Sequence, residues 1–269
     1  HLSIRRQRQM CIRDSFINRS NQKFTLTAVE RTSKRYMREN SLYQIDWWAS
    51  DDAILLDPEG GMIQQLGTER DPDGKIAKGL WLHLLDWIND VRPQRPINGI
   101  ILVVDLPKLI ASNHSDRQAL AVILRNRIRE VTEQFGARIP VYVVLNKADL
   151  IEGFETFYND LKQAERHKNL GFSFTLNTDE QIDNWTKELA DSYSAFVKEI
   201  EEIVFDKLAG TISQEERESL YMYARQLGGM QNILLQFISD VLESDRFTTT
   251  PYVRGCLLYT SDAADDREV

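Results

Sequence analysis

Three short apolar runs limit what this chain can become: AILLD at 53–57, GIILVVD at 99–105 and VYVVLN at 141–146, each closing on Asp or Asn. Runs without polar alternation suit strands buried on both faces, as in a parallel sheet covered by helices. The spacers carry helical stripes: Leu80, Leu84, Trp87, Ile88 and Val91 before Pro93, then Leu120, Ile123, Leu124, Ile128, Val131 and Phe135 before Gly136. Ser115 with Gln118 has capping-box spacing, and Gly136 suits the stop. Strand, helix, strand, helix, strand predicts a doubly wound α/β domain with a mostly parallel sheet. Ligands of such sheets sit beyond the carboxyl ends of the strands, where Asp57, Asp105 and Asn146 to Asp149 fall.

The third run continues into Asn146-Lys147-Ala148-Asp149, the pattern with which a G-domain-type fold reads guanine. The Asp149 carboxylate would accept both N–H groups on the Watson–Crick edge. The Lys147 stem would lie along a ring face, and Asn146 would tie neighbouring loops together. Adenine presents the wrong pattern, and a buried polar group left unpaired against it would discriminate. The plainer alternative is a solvated loop after a core strand. The first run leads into Asp57-Pro58-Glu59-Gly60, a D-x-x-G pattern. There Asp57 would hold Mg2+ through water, and the Gly60 N–H would approach a terminal phosphate. An ordinary turn uses the same residue types. No G-x-x-x-x-G-K-[ST] loop occurs, so nothing visible cradles the α- and β-phosphates.

After the N-K-x-D strand the pattern turns helical. Phe154, Phe157, Tyr158, Leu161 and Ala164 mark one amphipathic helix, and GFSFTLN at 171–177 reads as a last short strand. Thr178 with Gln181 opens a long helix with Ile182, Trp185, Leu189, Phe196, Ile200, Ile203 and Val204 on one stripe. Ser213 with Glu216 opens another, expected to stop at Gly228-Gly229, and Met230 to Leu242 a final one. These stripes are helix packing, not a cofactor box.

The ends differ from the interior. HLSIRRQRQMCIRDS at the start and CLLYTSDAADDREV at the finish resemble translated sequencing-adaptor read-through, and both cysteines, Cys11 and Cys256, lie there. The expected division is therefore a tail at 1–15, an α/β domain at 16–177, a helical extension at 178–255 and a tail at 256–269. The opposite charges of the tails cancel, so the interior carries the net −8, which gives no footprint for a nucleic-acid backbone. His83, His114 and His167 lack metal-ligand spacing, and no serine sits on a G-x-S-x-G elbow. No catalytic residue is assigned.

Several stretches together resemble the cytoplasmic NTPase-like region of the IcmF/TssM family: Asp46-Trp47-Trp48, AILLDPEGG, GLW at 79–81, RPQRPINGIILVVDL at 92–106, PVYVVLNKADLIEGFETFYNDL at 140–161, GFSF at 171–174 and Pro251 to Gly255. The resemblance implies a P-loop NTPase or G-domain-like fold, here without its phosphate loop, and GTP or ATP with Mg2+ as ligand. It also implies an inner-membrane subunit of a type VI secretion system, or of a type IVB relative. Such a protein is anchored by helices outside this stretch, with the present domain at the cytoplasmic face. It forms oligomers and meets other membrane-complex and baseplate subunits. Where many members have D-T-A-G, this chain has Asp57-Pro58-Glu59-Gly60; Pro58 lacks an N–H, and Gly61 stands where some GTPases place a water-orienting glutamine. Binding is thus expected ahead of hydrolysis, which would be slow. A soluble regulatory GTPase and a non-binding interaction platform are the competing readings. Trp47 and Trp48 read either as sheet-packed residues or as a partner hot spot.

Overall fold

The structure, a computed structural model, describes residues 25–26, 45–64, 72–159, 161, 171–174, 185–210, 212–242 and 251–258. The chain orders these as β1 (Thr25–Leu26), β2 (Ile45–Ala49), β3 (Ile54–Pro58), α1 (Gly60–Gln64), α2 (Pro72–Val91), β4 (Ile100–Asp105), α3 (Leu106–Ala111) and α4 (His114–Phe135). Then follow β5 (Pro140–Asn146), a 3-10 turn (Ala148–Leu150), α5 (Phe154–Asn159), β6 (Gly171–Ser173), α6 (Trp185–Leu208), α7 (Gln214–Leu242) and β7 (Tyr252–Leu258). The architecture is α/β. Two compact units divide it, one of residues 1–97 and 126–137, the other of 98–125 and 138–269.

In the second unit a four-stranded mixed sheet runs β4-β5-β7-β6, with β4, β5 and β7 mutually parallel and β6 antiparallel at the edge. The parallel prediction holds for β4 and β5, and β5 buries Val141, Val143, Val144 and Leu145. The strand reading of GFSFTLN holds over Gly171–Ser173. Segment 178–255, expected as a helical extension with its helices ending near 246, closes in β7, which returns to the sheet beside β5. β7 continues through Cys256, opposite Val143, to Leu258, so the boundary placed after Gly255 falls inside a strand.

The first apolar run departs from expectation. β3 pairs antiparallel with β2 in a separate three-stranded sheet of the first unit, and Ile54 lies exposed. Locality explains the preference. Only four residues separate the strands, so closing the hairpin costs little chain entropy. The Ser50 N–H donates to the Ala53 carbonyl at 2.8 Å and the Ala53 N–H to Ser50 Oγ at 3.1 Å. Asp51 and Asp52 form the exposed turn, as solvated residues should.

The helices keep the predicted period with adjusted phases. α2 buries Ala77, Trp81, Leu84, Leu85 and Ile88, whereas Leu80, Trp87 and Val91 of the expected stripe are exposed. Trp81 Nε1 donates to Glu130 Oε2 at 2.7 Å, and Trp87 meets the Trp47 ring edge-on at 5.3 Å. Trp47 and Trp48 are half-buried in β2. α4 is capped not by Ser115 but by Asn113, whose Oδ1 accepts the Asp116 N–H at 2.8 Å; Gly136, at φ 59°, closes it. The box at Ser213 and Glu216 forms reciprocally, at 2.8 and 3.2 Å. Gly228-Gly229 does not end a helix. α7 runs unbroken to Leu242 because ten side chains along it are buried, the Leu, Met, Phe, Ile and Val among them worth roughly 1.5–3 kcal/mol each, against about 1 kcal/mol lost per glycine. α6 and α7 pack together, with Tyr193, Phe196, Val197, Leu227 and Leu234 all buried, and the Tyr193 hydroxyl donates to the Leu227 carbonyl at 2.8 Å. Ala164, His167, Thr178, Gln181, Ile182 and both outer tails, 1–15 and 259–269, lie outside the described residues. Among the described residues no helix is long and apolar enough to cross a membrane.

Candidate functional site

The site is built at the carboxyl ends of β4 and β5, which are adjacent and parallel with Asp105 directly opposite Asn146. Beyond Asn146 the chain must leave the sheet at once. Lys147 supplies the turn in the left-handed region, at φ 64° and ψ 36°, and is the sole non-glycine residue with positive φ among those described. A side chain there costs about 1–2 kcal/mol, so the surroundings must hold it. The next turn is closed by the Leu150 N–H on the Lys147 carbonyl at 3.1 Å and the Ile151 N–H on the Ala148 carbonyl at 3.2 Å. Ala148 is wholly enclosed, which leaves room for a methyl group and little more.

Asn146 is 2% exposed, and among the described residues neither atom of its side-chain amide has a hydrogen-bond partner. Burying an amide unpaired costs about 1–3 kcal/mol, and a sequence that retains it at a strand end leaves donor and acceptor capacity for something else. Lys147 Nζ forms an ion pair with Asp105 Oδ2 at 2.5 Å, with the two side chains 18% and 28% exposed. The other Asp105 oxygen accepts the Lys108 N–H at 3.1 Å and caps α3. Asp149 opens the 3-10 turn and is half-buried.

The far side of this turn is fastened to α7. Gly153 sits at φ 86°, where an added Cβ would lie 2.1 Å from the Ser219 carbonyl oxygen and 2.8 Å from Tyr223 Cβ. Phe154 meets the Tyr223 ring edge-on at 5.9 Å and Phe157 lies tilted against it at 5.0 Å. Thr156 Oγ1 and Ser219 Oγ share a hydrogen bond of 3.0 Å, and Gln226 Nε2 donates to Glu152 Oε2 at 3.3 Å. Lys207 of α6 adds a bond to the Phe157 carbonyl at 3.0 Å.

Asp57 and Gly60 belong to the first unit. Asp57 is half-buried on β3 opposite Asp46 of β2, and Gly60 is the first residue of α1. Pro58 ends β3 on the edge of its sheet, the position where a missing N–H is tolerated. Among the described residues no three His, Cys, Asp or Glu side chains gather as a metal site. Burial pushes the Cys256 thiol up to about 12, so it is no nucleophile at neutral pH.

Asn146, Lys147 and Asp149 lie on one turn, as their sequence adjacency requires, and Asp105, expected at the same end of the sheet, is in addition the partner of Lys147. The equal register of two parallel strands, both ending in polar residues, was the available signal. The fastening of Gly153 to α7 had no comparable signal, because residue 219 is far along the chain. A groove on the α6–α7 pair, lined by Thr186, Leu189, Asn232, Leu235, Gln236 and Ser239, includes none of the site residues.

Comparison with known proteins gives two matches. The profile of the IcmF-related N-terminal domain matches residues 75–267. The type VI secretion system component TssM1 of Pseudomonas aeruginosa is 29% identical over 216 residues. That alignment takes in 80% of this chain and 19% of the relative, so the chain spans about a fifth of the curated relative's length. No solved structure matches.

Proposed function

The chain belongs to the IcmF-related family, and on that premise we propose that it is a structural component of a type VI secretion membrane complex whose domain binds a purine nucleotide, with guanine preferred, at the ends of β4 and β5. One observation carries the nucleotide reading: the buried, unpartnered amide of Asn146 beside the left-handed Lys147. In this reading Asp149 accepts the two N–H groups of the guanine edge, the Lys147 stem faces the ring, and Asn146 satisfies its amide when the site is complete. As a separate proposal for the first unit, Asp57 would hold Mg2+ through water and the Gly60 N–H would suit a phosphate oxygen. Hydrolysis is not claimed, since Pro58 offers no N–H and Gly61 no side chain.

The domain then stands at the cytoplasmic face of the inner membrane, held by segments outside this stretch, in an oligomer that meets other membrane-complex and baseplate subunits. The likeness to the type VI secretion system component TssM1 supports the secretion-system part of that reading. The reading predicts that calorimetric titration of the chain shows Mg-GTP binding more tightly than Mg-ATP. Asp149→Ala should lower GTP affinity about ten- to a hundredfold, as loss of charged hydrogen bonds worth about 1.5–3 kcal/mol requires, and leave ATP nearly unaffected. The absence of binding by either nucleotide at millimolar concentration would overturn it. An interaction platform without nucleotide is the second reading, favoured by the absence of a G-x-x-x-x-G-K-[ST] loop from the sequence.

A further inference from the structure

We propose that Asp105 is a positioning residue for base recognition: it anchors the Lys147 ammonium so that the lysine stem forms a fixed wall against the purine ring. The inference deepens the nucleotide-binding reading and rests on it. Its ground is a division of labour within one carboxylate. Oδ1 is committed to the Lys108 N–H at the start of α3, and Oδ2 to Lys147 Nζ at 2.5 Å. The backbone of Asp105 is fixed in turn by its place opposite Asn146 in the β4–β5 ladder. Asp105 is therefore held from three directions, and it passes that rigidity to a lysine whose own backbone is in an unfavourable conformation.

Anchoring matters because a free lysine stem carries many rotamers that binding would have to freeze. Fixing it beforehand removes that cost and leaves the gain from ring contact intact. Neutralising the ammonium has a second consequence. A lysine paired with Asp105 contributes little net attraction for phosphate, so its use lies with the base. Partial burial keeps the pair from being fully screened by salt.

Asp105→Asn is the informative variant, since the amide oxygen can still cap α3 while the charge partner of Lys147 is gone. Calorimetry with Mg-GTP and Mg-ATP should show GTP affinity falling about tenfold and the GTP-over-ATP preference shrinking, in a variant that circular dichroism shows to be still folded at the temperature of the titration. Asp105→Glu, which restores the charge, should recover part of the preference. Lys147→Met keeps an apolar stem without the anchor, and its loss should not add to that of Asp105→Asn in the double variant. Unchanged GTP affinity and preference in Asp105→Asn, or fully additive losses in the double variant, would overturn the proposal while leaving nucleotide binding standing. If the unaltered chain binds neither nucleotide, the nucleotide reading fails, and this inference with it.

Discussion

The turn after β5 and the turn after β3 carry the two recognisable motifs, yet the fold treats them differently. Asn146 to Gly153 leaves an interior strand of the mixed sheet, flanked by parallel neighbours, and is held by Asp105 on one side and by α7 on the other. Asp57 to Gly60 leaves an edge strand of a hairpin with no fully buried residue and enters a helix of five residues. A motif is thus only as rigid as the strand that delivers it and the elements that receive it. The first turn is a preorganised frame, and the second is a local feature of the hairpin.

The largest test of that contrast is Gly153→Ala. The new Cβ would collide with the Ser219 carbonyl at 2.1 Å, and the residue would keep a positive φ, so the second unit should lose roughly 3 kcal/mol or more in chemical denaturation. An effect below about 1 kcal/mol would mean that the turn is not clamped to α7.

Alkaline titration comes next and probes the same unit. Burial raises the Cys256 thiol from 9.0 to about 12, and raises the Tyr193 and Tyr223 hydroxyls in the same direction. For acids whose folded form holds the proton longer, stability is complete below the unfolded pKa and falls above it. Unfolding free energy should therefore be flat through neutral pH, then decline from about pH 9 by up to ~1.4 kcal/mol per unit from the thiol alone. A flat profile to pH 11 would contradict the enclosure of β7.

The smallest expected effect belongs to the hairpin. Ser50→Ala removes the side-chain bonds that close the turn before β3, which are exposed, and should cost about 0.5–1 kcal/mol. A loss as large as that of Gly153→Ala would erase the distinction between the two turns.

Much of this was legible in the residues. The apolar runs at 99–105 and 141–146 became parallel neighbours because burial on both faces leaves few other arrangements. The box at Ser213 and Glu216 could be read locally, since three residues contain the whole device. What escaped depends on distant partners. The run at 53–57 has the same composition as the others but found a hairpin partner closer at hand. The helix stop at Gly228-Gly229 was overruled by apolar residues packed along both halves of α7. Around the candidate site, residue types and spacing singled out Asn146, Lys147 and Asp149, while the pairing of Lys147 with Asp105 required the register between strands whose paired residues lie 42 positions apart.

The most direct test of the central claim is amide hydrogen exchange of the chain with and without saturating Mg-GTP. The account predicts slowed exchange at 146–150, extending to 105–108 through the Asp105 pair, with a weaker response to Mg-ATP. Exchange unchanged at 146–150 under saturating GTP, or protection confined to other segments, would contradict it.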